Sequence, residues 1–273
     1  MAGRDETDGG GGSKYLTYSG YLKLDELLAL QQPRSGGRDH DEMLFIVIHQ
    51  VYELWFKELL HELEYACRLL EGDATAPALH TMKRVLTILK VLVSQLDILE
   101  TMTPLEFLAF RERLEAASGL ESRQFRELEF LLGLKDKRVF ERYPEGGEAR
   151  AVLERRLEEP TLWDAFLHYL AGEGYAVPEE LLGRDVTRPV EPSPGLQGVL
   201  IDVYRENPAA AELCERLVDL DEGLQEWRYR HVKMVERTIG AKRGTGGTSG
   251  VEYLKRRIFR PLFPDLWEIR TQL

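Results

Sequence analysis

Two long stretches of the chain lack proline and carry apolar residues at intervals of three or four positions. One lies between Pro33 and Pro77, and the other between Pro208 and Pro261. A proline inside a helix costs about 3 kcal/mol, so its absence permits long helices. The spacing puts the apolar side chains on one helical face. The two faces are Phe45, His49, Tyr52, Phe56, Leu59 and Leu63, and Leu213, Leu217, Leu220, Leu224, Trp227, His231 and Met234. The sequence therefore predicts two long amphipathic helices.

Helix start signals recur along the rest of the chain. Thr103-Pro104-Leu105-Glu106 offers a capping threonine, a proline in the first turn and a glutamate three residues after the cap. Asn207-Pro208 and Thr161 with Asp164 follow the same logic. Further helices are predicted over 22–31, 78–101, 122–132, 148–158, 161–171 and 196–206. Alternating runs of β-branched residues are scarce, so the predicted fold class is all-α.

The distribution of glycine and proline predicts one domain. Residues 1–14 are polar and rich in glycine, which is typical of a flexible arm. Residues 172–195 contain four prolines and are predicted to be an irregular excursion over the surface. Neither the segment before these residues nor the segment after them is expected to fold as a domain alone. Residues 15–273 are therefore predicted to form a single all-α domain.

Charge and cysteine content exclude several classes of protein. The 273 residues include 36 basic and 47 acidic ones, for a net charge of −11, which argues against nucleic-acid and anionic-membrane binding. The two cysteines, Cys67 and Cys214, are far apart and form no disulfide framework, which fits a reducing cytoplasm. No apolar run approaches the roughly 18 residues of a membrane span. A cytoplasmic protein is expected.

Histidine is unexpected at two positions of the apolar faces. An imidazole nitrogen buried without a partner costs on the order of 1–3 kcal/mol, so Leu or Phe would fill the positions of His49 and His231 at lower cost. Each could be a core histidine that bonds a backbone carbonyl. Alternatively, one binds a metal or haem iron while the other faces a substrate. Their aromatic neighbours (Phe45, Tyr52 and Trp227) favour a functional role without deciding it.

Three other features also allow a structural and a functional interpretation. Glu58 and His61 have the Glu-x-x-His spacing of di-iron bundles, but the required second motif is missing. The glycine-rich run 242–250 has the composition of a linker, and its hydroxyls and two cations would equally suit an anion. Arg111 shares a helical face with Phe107 and is either a surface residue or a clamp for a carboxylate.

Six segments in order resemble the tryptophan 2,3-dioxygenase family of haem enzymes. They are Y-S-G-Y-L-K-L-D-E-L-L at 18–28, D-E-M-L-F-I-V-I-H-Q-V-Y-E-L-W-F-K at 41–57, L-E-T-M-T-P-L-E-F-L-A-F-R at 99–111, S-G-L-E-S-R-Q-F-R at 118–126, W-R-Y-R-H-V-K-M-V at 227–235 and G-A-K-R-G-T-G-G-T-S-G-V at 240–251. The similarity extends from about Tyr15 to the C-terminus. Several long motifs in register are far more specific than any single pattern above.

The resemblance implies an all-α homotetramer with one haem b per subunit, which uses O₂ to open the indole C2–C3 bond of L-tryptophan and yields N-formylkynurenine. It assigns His231 as the axial ligand of the iron and His49 as the catalytic residue that faces the indole N–H. It places Ser118 and Gly246 beside the haem. The substrate-binding residues that it implies are Phe45, Ile46, Val47, Ile48, His49, Phe107, Arg111, Ser118 and Thr245, together with Tyr18, Tyr21 and Leu22 from a neighbouring subunit.

Some positions depart from the family pattern. Phe107 and Phe125 stand where many bacterial members have Tyr, and both residue types are tolerated there. Leu120-Glu121 stands where the family usually has Phe-Gln, and it adds a charge beside the expected active-site segment. An alternative function is therefore a related haem oxygenase that acts on a modified indole. A haem sensor without turnover would not need Arg111 and Thr245, and a helical interaction protein would leave both histidines unexplained.

Overall fold

The protein is helical throughout the part of the chain that the computed structural model describes, residues 15–115, 117–244, 251–255 and 258–273. These residues contain no β-strand, so the all-α prediction is confirmed. The α-helices are α1 (Tyr18–Leu22), α2 (Leu24–Leu28), α3 (Asp41–Glu71), α4 (Thr75–Leu99), α5 (Pro104–Arg111), α6 (Arg123–Leu131), α7 (Glu148–Glu158), α8 (Leu162–Gly172), α9 (Glu179–Leu182), α10 (Pro194–Glu206), α11 (Pro208–Ile239), α12 (Val251–Lys255) and α13 (Pro264–Glu268). Short 3₁₀ helices occupy Glu112–Leu114, Gly119–Glu121, Lys137–Arg142 and Ile269–Thr271. The predicted arm, residues 1–14, lies outside the described residues.

Three long helices form the centre of the fold. The two predicted amphipathic helices are α3, of 31 residues, and α11, of 32 residues. Both pack against α4, and α3 also packs against α6 and α8. At Gly223 of α11 a Cβ atom would lie 2.7 Å from Leu89 Cδ2 of α4, so glycine permits this close approach. The resulting hydrophobic core includes residues from Ile48 to Ile269.

The predicted helix starts are confirmed in atomic detail. Thr103 Oγ1 accepts a bond from the Glu106 N–H, while the Glu106 carboxylate accepts one from the Thr103 N–H at 2.7 Å, which is a complete capping box. Thr161 and Asp164 form a second box at the start of α8. The Asn207 side chain caps α11 by accepting from the Ala210 N–H. Local sequence therefore sets these boundaries.

The single helix predicted over 22–31 is wrong. Lys23 has a left-handed backbone, with φ of 54°, and divides this region into the short helices α1 and α2. The apolar side chains of Leu22, Leu28 and Leu30 are exposed. Because a short helix depends on packing for its stability, this segment lacks the contacts that would hold one continuous helix within its own chain. Farther along, residues 172–195 are irregular apart from α9.

The C-terminal segment is attached to α11 through Asp221, which is fully buried. Its Oδ2 accepts hydrogen bonds from the backbone N–H groups of Leu262 and Phe263, at 2.8 and 3.2 Å, and from Trp267 Nε1 at 2.9 Å. Its Oδ1 accepts one from Gln225 at 2.9 Å. This carboxylate fixes the helix that carries His231 against the end of the chain.

Asp221→Ala should lower the free energy of unfolding by about 3 kcal/mol, because it leaves buried backbone donors without an acceptor. Urea denaturation followed by circular dichroism measures the loss. Asp219→Ala is the matched control, since Asp219 is 43% exposed and its ion pair within the described residues is with Arg216, at 2.9 Å, on the same helix. It should change stability by less than about 0.5 kcal/mol. Equal losses in the two variants would contradict the role of Asp221.

Within the described part of the chain, no helix is both long and apolar enough to cross a membrane. The long helices instead alternate buried and exposed faces. On α3, Tyr52, Phe56 and Leu63 are buried while Leu54 is half exposed. Such a one-sided distribution is what packing against neighbouring helices of the same chain requires.

Candidate active site

A cavity of about 300 Å³ lies between α3 and α11, and α5 and residues 117–129 close its sides. Its size falls at the lower end of the range typical of small-molecule sites. Aromatic rings form one part of the interior wall: the Phe125 ring lies 5.3 Å from Phe56 and 5.1 Å from Trp227, measured between ring centroids. Tyr52 also lines it and donates its hydroxyl proton to the Leu92 carbonyl at 2.6 Å. Few polar groups interrupt this wall, so their identities decide what the cavity can bind.

His49 reaches the cavity from α3 with one ring nitrogen already bonded. Its Nδ1 lies 2.7 Å from the Phe45 carbonyl oxygen, which requires that Nδ1 carries the proton and donates it. In the neutral ring Nε2 is then an acceptor. Burial lowers the pKa of His49, outweighing the opposing effects of the Phe45 carbonyl and of Glu53, and so favours this neutral form. The Phe45 ring packs 4.0 Å from the imidazole and fixes its plane.

His231 reaches the same cavity from α11. Its ring stacks on Trp227, with centroids 5.3 Å apart and planes only 8° from parallel. Its nitrogens form no hydrogen bond with any described residue. Burial, with a smaller contribution from His49, lowers the pKa of His231 to about 4. The imidazole is therefore neutral at pH 7, which is the form that binds a metal.

Arg111 supplies a cation at the end of α5. Its Nη2 donates to the Arg243 carbonyl at 2.6 Å, while its Nε is buried and has no acceptor among the described residues. A buried guanidinium donor without an acceptor is costly, and a carboxylate bound in the cavity would remove that cost. Phe107, one turn earlier on the same helix, lies 5.9 Å from Phe45 and completes an aromatic slot next to the cation.

The structure brings together six of the predicted site residues, namely Phe45, His49, Phe107, Arg111, Ser118 and His231. Three others predicted to bind substrate, Ile46, Val47 and Ile48, do not line the cavity, because they occupy the positions of α3 between two residues that face it. Ile48 is buried in the core and Val47 is exposed. Tyr18, Tyr21 and Leu22 are exposed and away from the cavity of their own chain. Thr245 and Gly246 lie outside the described residues.

Four charged residues of the cavity wall are not among the predicted site residues. They are Glu53, Arg126, Glu129 and Arg228. A helical-spacing signal was available for two of them, because Glu53 follows His49 by four residues and Arg228 precedes His231 by three. Nothing in the sequence pattern marks Arg126 and Glu129 as buried, since charged residues on a short helix are usually solvated.

The departure at Leu120-Glu121 affects the site through one residue only. Leu120 lines the cavity, whereas Glu121 is exposed and its carbonyl accepts a bond from the Tyr143 hydroxyl at 3.1 Å. The expected extra charge beside the active-site segment therefore points away from the cavity. The site has two neutral imidazoles, the guanidinium of Arg111 next to an aromatic slot, and the four charged side chains named above.

An all-α fold built around such a cavity defines a helical protein with a candidate site for a small molecule. A family model described as tryptophan 2,3-dioxygenase matches residues 3–171 and 192–273. The chain belongs to the tryptophan 2,3-dioxygenase family.

Close relatives match over nearly the whole chain. A protein of Herpetosiphon aurantiacus named tryptophan 2,3-dioxygenase is 60% identical over 261 residues, which cover 96% of this chain and all of the relative. A relative of the same name from Anaeromyxobacter sp. is 56% identical, and the match covers 98% of this chain and all of the relative. One from Caulobacter vibrioides is 47% identical, and the match covers 94% of this chain and 98% of the relative. The family suggested by the sequence motifs is thereby confirmed.

Proposed function

We propose that this chain opens the indole ring of L-tryptophan with O₂ and forms N-formylkynurenine, with haem b as its cofactor. The observation that carries the proposal is the shared cavity of His49, His231 and Arg111, in which the buried Arg111 Nε has no acceptor among the described residues. Family membership supports the same activity. The decisive experiment mixes haem-loaded, reduced protein with L-tryptophan and ¹⁸O₂ and looks for N-formylkynurenine with two labelled oxygen atoms. No product, or product with one labelled oxygen, would overturn the proposal.

The residues of the cavity fit a haem group. His231 offers a neutral imidazole without a hydrogen-bond partner among the described residues, and the aromatic wall of Phe56, Phe125 and Trp227 suits a large apolar ring. His231 would hold the iron, with Ser118 and Gly246 beside the ring. Haem bound there supplies the activation of O₂.

The remaining polar groups fit an amino acid with an indole side chain. His49 Nε2 accepts the indole N–H, because its other nitrogen is already committed to the Phe45 carbonyl. Phe45 and Phe107 pack against the indole ring, and Arg111 binds the carboxylate. We also assign Thr245 to the amino-acid end of the substrate. Held at both ends, the substrate presents its C2–C3 bond in one orientation, which is the main gain that a binding site of this kind provides.

The same arrangement explains selectivity and exclusion of water. The aromatic wall keeps bulk water from the reacting atoms. Tryptamine and 3-methylindole lack the carboxylate, so either molecule would leave the buried Nε of Arg111 without an acceptor among the described residues. Both are expected to react poorly. Efficient turnover of either, with L-tryptophan a poor substrate, would instead favour the related enzyme acting on a modified indole.

His49→Ala should retain haem and lower kcat/KM for L-tryptophan by about 10- to 100-fold, the effect expected when one hydrogen bond that orients the substrate is lost. Steady-state kinetics measures the change. The control substrate is 1-methyltryptophan, which has no indole N–H to donate. For this substrate the variant and the wild-type protein should differ by less than about threefold. Unchanged kinetics with L-tryptophan would contradict the role of His49.

The pH profile gives a second readout of the same residue. Protonation of His49 Nε2 removes the acceptor, so kcat/KM should fall as the pH decreases through the pKa of His49. Burial lowers that pKa from its ordinary value of 6.5, so the fall should be centred below pH 6.5. The profile should be flat between that point and neutral pH. His49→Ala should abolish this acidic limb.

We also propose that the protein is a homotetramer in which N-terminal segments reach neighbouring active sites. Tyr18 and Tyr21 support this proposal, because 76% and 71% of their surfaces are exposed on a segment that forms no core of its own. Exposed aromatic residues in sequence often mark a protein interface. Tyr18→Ser with Tyr21→Ser should reduce the mass measured by light scattering and raise KM severalfold. Tyr65→Ser, an exposed tyrosine on α3, is the control and should change neither.

A further inference from the structure

Three charged side chains form a buried cluster in the wall of the cavity, which we call the Arg126–Glu129–Arg228 cluster. Arg126 and Glu129 belong to α6 and Arg228 belongs to α11, and they are only 4%, 4% and 7% exposed. Arg126 Nη1 contacts Glu129 Oε2 in a short ion pair. Arg228 Nη2 lies 3.7 Å from Glu129 Oε1. The single carboxylate thus lies between two guanidinium groups of different helices.

Stability alone does not account for this cluster. Burying ions carries a desolvation cost that their attraction often fails to exceed, and apolar residues of similar volume are frequently as stabilising. The guanidinium groups are nevertheless held in place: Arg126 Nε donates to the Leu120 carbonyl and Arg228 Nη1 to the Arg260 carbonyl, each at 3.4 Å. All three side chains also line the cavity. Their position points to a task in the cavity.

The cluster carries the excess positive charge of the described cavity wall. Its two guanidinium groups and one carboxylate sum to +1. The other formal charges of that wall are one of each sign, Arg111 and Glu53, so they cancel. Because the three side chains of the cluster are buried, their charge is screened less than a charge at the protein surface.

Arg228 and His231 belong to the same helix and line the same cavity. The two residues are three positions apart on α11, which places them about one turn from each other on the helix surface. Trp227, the neighbour of Arg228 in the sequence, stacks on His231 and so immobilises the imidazole. Groups next to a metal ligand commonly tune the metal.

We infer that the Arg126–Glu129–Arg228 cluster raises the reduction potential of the iron held by His231 and thereby favours the ferrous form. This inference rests on the proposed haem function. A nearby positive charge disfavours the ferric form, which carries one more positive charge than the ferrous form. Hydrogen bonding and charge around a haem are recognised determinants of its potential. Ferrous iron is the form that binds O₂, so the cluster favours the state that can react.

The test is a reductive titration of the full-length haem-loaded protein with dithionite and redox mediators, followed by the haem absorption spectrum. Glu129→Gln removes a negative charge and should raise the potential. Arg126→Gln removes a positive charge and should lower it. Each should change the ferrous-to-ferric ratio at a fixed applied potential by about tenfold, the order expected for one unit of charge in a partly buried site. The signs of the two changes are opposite.

Opposite signs separate an electrostatic role from a structural one. Loosening of the site would move both variants in the same direction. Arg126→Lys keeps the charge, and the double variant Arg126→Gln/Glu129→Gln restores the net charge of +1, so both should stay within about threefold of the wild-type ratio. If one single variant fails to fold, Arg228→Gln replaces Arg126→Gln and Glu129→Asp provides the charge-conserving control.

The outcomes distinguish this inference from the proposed function. Wild-type protein that takes up no haem would overturn the proposed function itself. Wild-type protein that binds haem and forms N-formylkynurenine, with all variants at one potential or shifted in the same direction, would overturn only the role of the cluster. Opposite shifts, with the double variant near the wild type, would establish it.

Discussion

His231→Ala should leave the purified protein almost free of haem. The variant removes the neutral imidazole that would hold the iron, and the cavity wall supplies no other histidine except His49, whose Nδ1 is bonded to the Phe45 carbonyl. Haem occupancy should fall below about one tenth of the wild-type value, because the iron loses its axial protein ligand. The absorption of the haem relative to that of the protein measures this directly. No N-formylkynurenine should form.

Two controls make the expected loss of haem specific. His61→Ala removes an exposed imidazole from α3 and should bind haem as the wild type does. Circular dichroism should show the same helical content in both variants, since His231 forms no hydrogen bond with any described residue. Added imidazole should restore part of the haem binding to His231→Ala. Full haem occupancy without added imidazole would overturn the assignment of the ligand.

Arg111→Leu should retain haem and lower kcat/KM for L-tryptophan by about 100- to 1,000-fold, the effect of losing one partner of a buried charge pair. The loss should appear mainly as weaker substrate binding. Arg111 Nε is buried without an acceptor among the described residues, so the binding of a carboxylate satisfies a donor that is otherwise unpaired. Steady-state kinetics and the haem absorption spectrum together separate substrate affinity from cofactor binding.

The substrate without a carboxylate provides the second half of this experiment. Tryptamine cannot use the guanidinium, so Arg111→Leu and the wild-type protein should differ by less than about threefold with it. Arg113→Leu is the matched variant: Arg113 pairs with Asp39 at 2.5 Å, does not line the cavity, and should leave kcat/KM nearly unchanged. Equal losses of kcat/KM with tryptamine and L-tryptophan would contradict the proposal that Arg111 binds the substrate carboxylate.

Much of the helical fold could be predicted because its signals are local. The capping residues Thr103, Thr161 and Asn207 bond to backbone groups within three residues, so the sequence alone contains both partners. The three-four spacing of apolar residues similarly depends only on helix geometry. The prediction over 22–31 failed because Lys23 adopts a left-handed backbone and Leu22, Leu28 and Leu30 remain exposed, so packing does not hold one continuous helix there.

The site could be predicted only in part. The helical spacing placed His49 and His231 on buried faces, and the family motifs added Phe107, Arg111 and Ser118, all of which line one cavity. The rotation of α3 decided that Phe45 and His49 face this cavity while the three residues between them do not. Motif similarity contains no such information, because it treats consecutive residues alike.

Residue type and spacing along the chain were enough to identify long amphipathic helices, their caps and the two histidines on the apolar faces. These properties arise between residues a few positions apart. Which charges share a cavity is another matter: Arg126 and Arg228 are about a hundred positions apart and meet at Glu129 only because α6 and α11 border the same space. Contact across such a separation depends on how helices pack, and no local pattern encodes that packing.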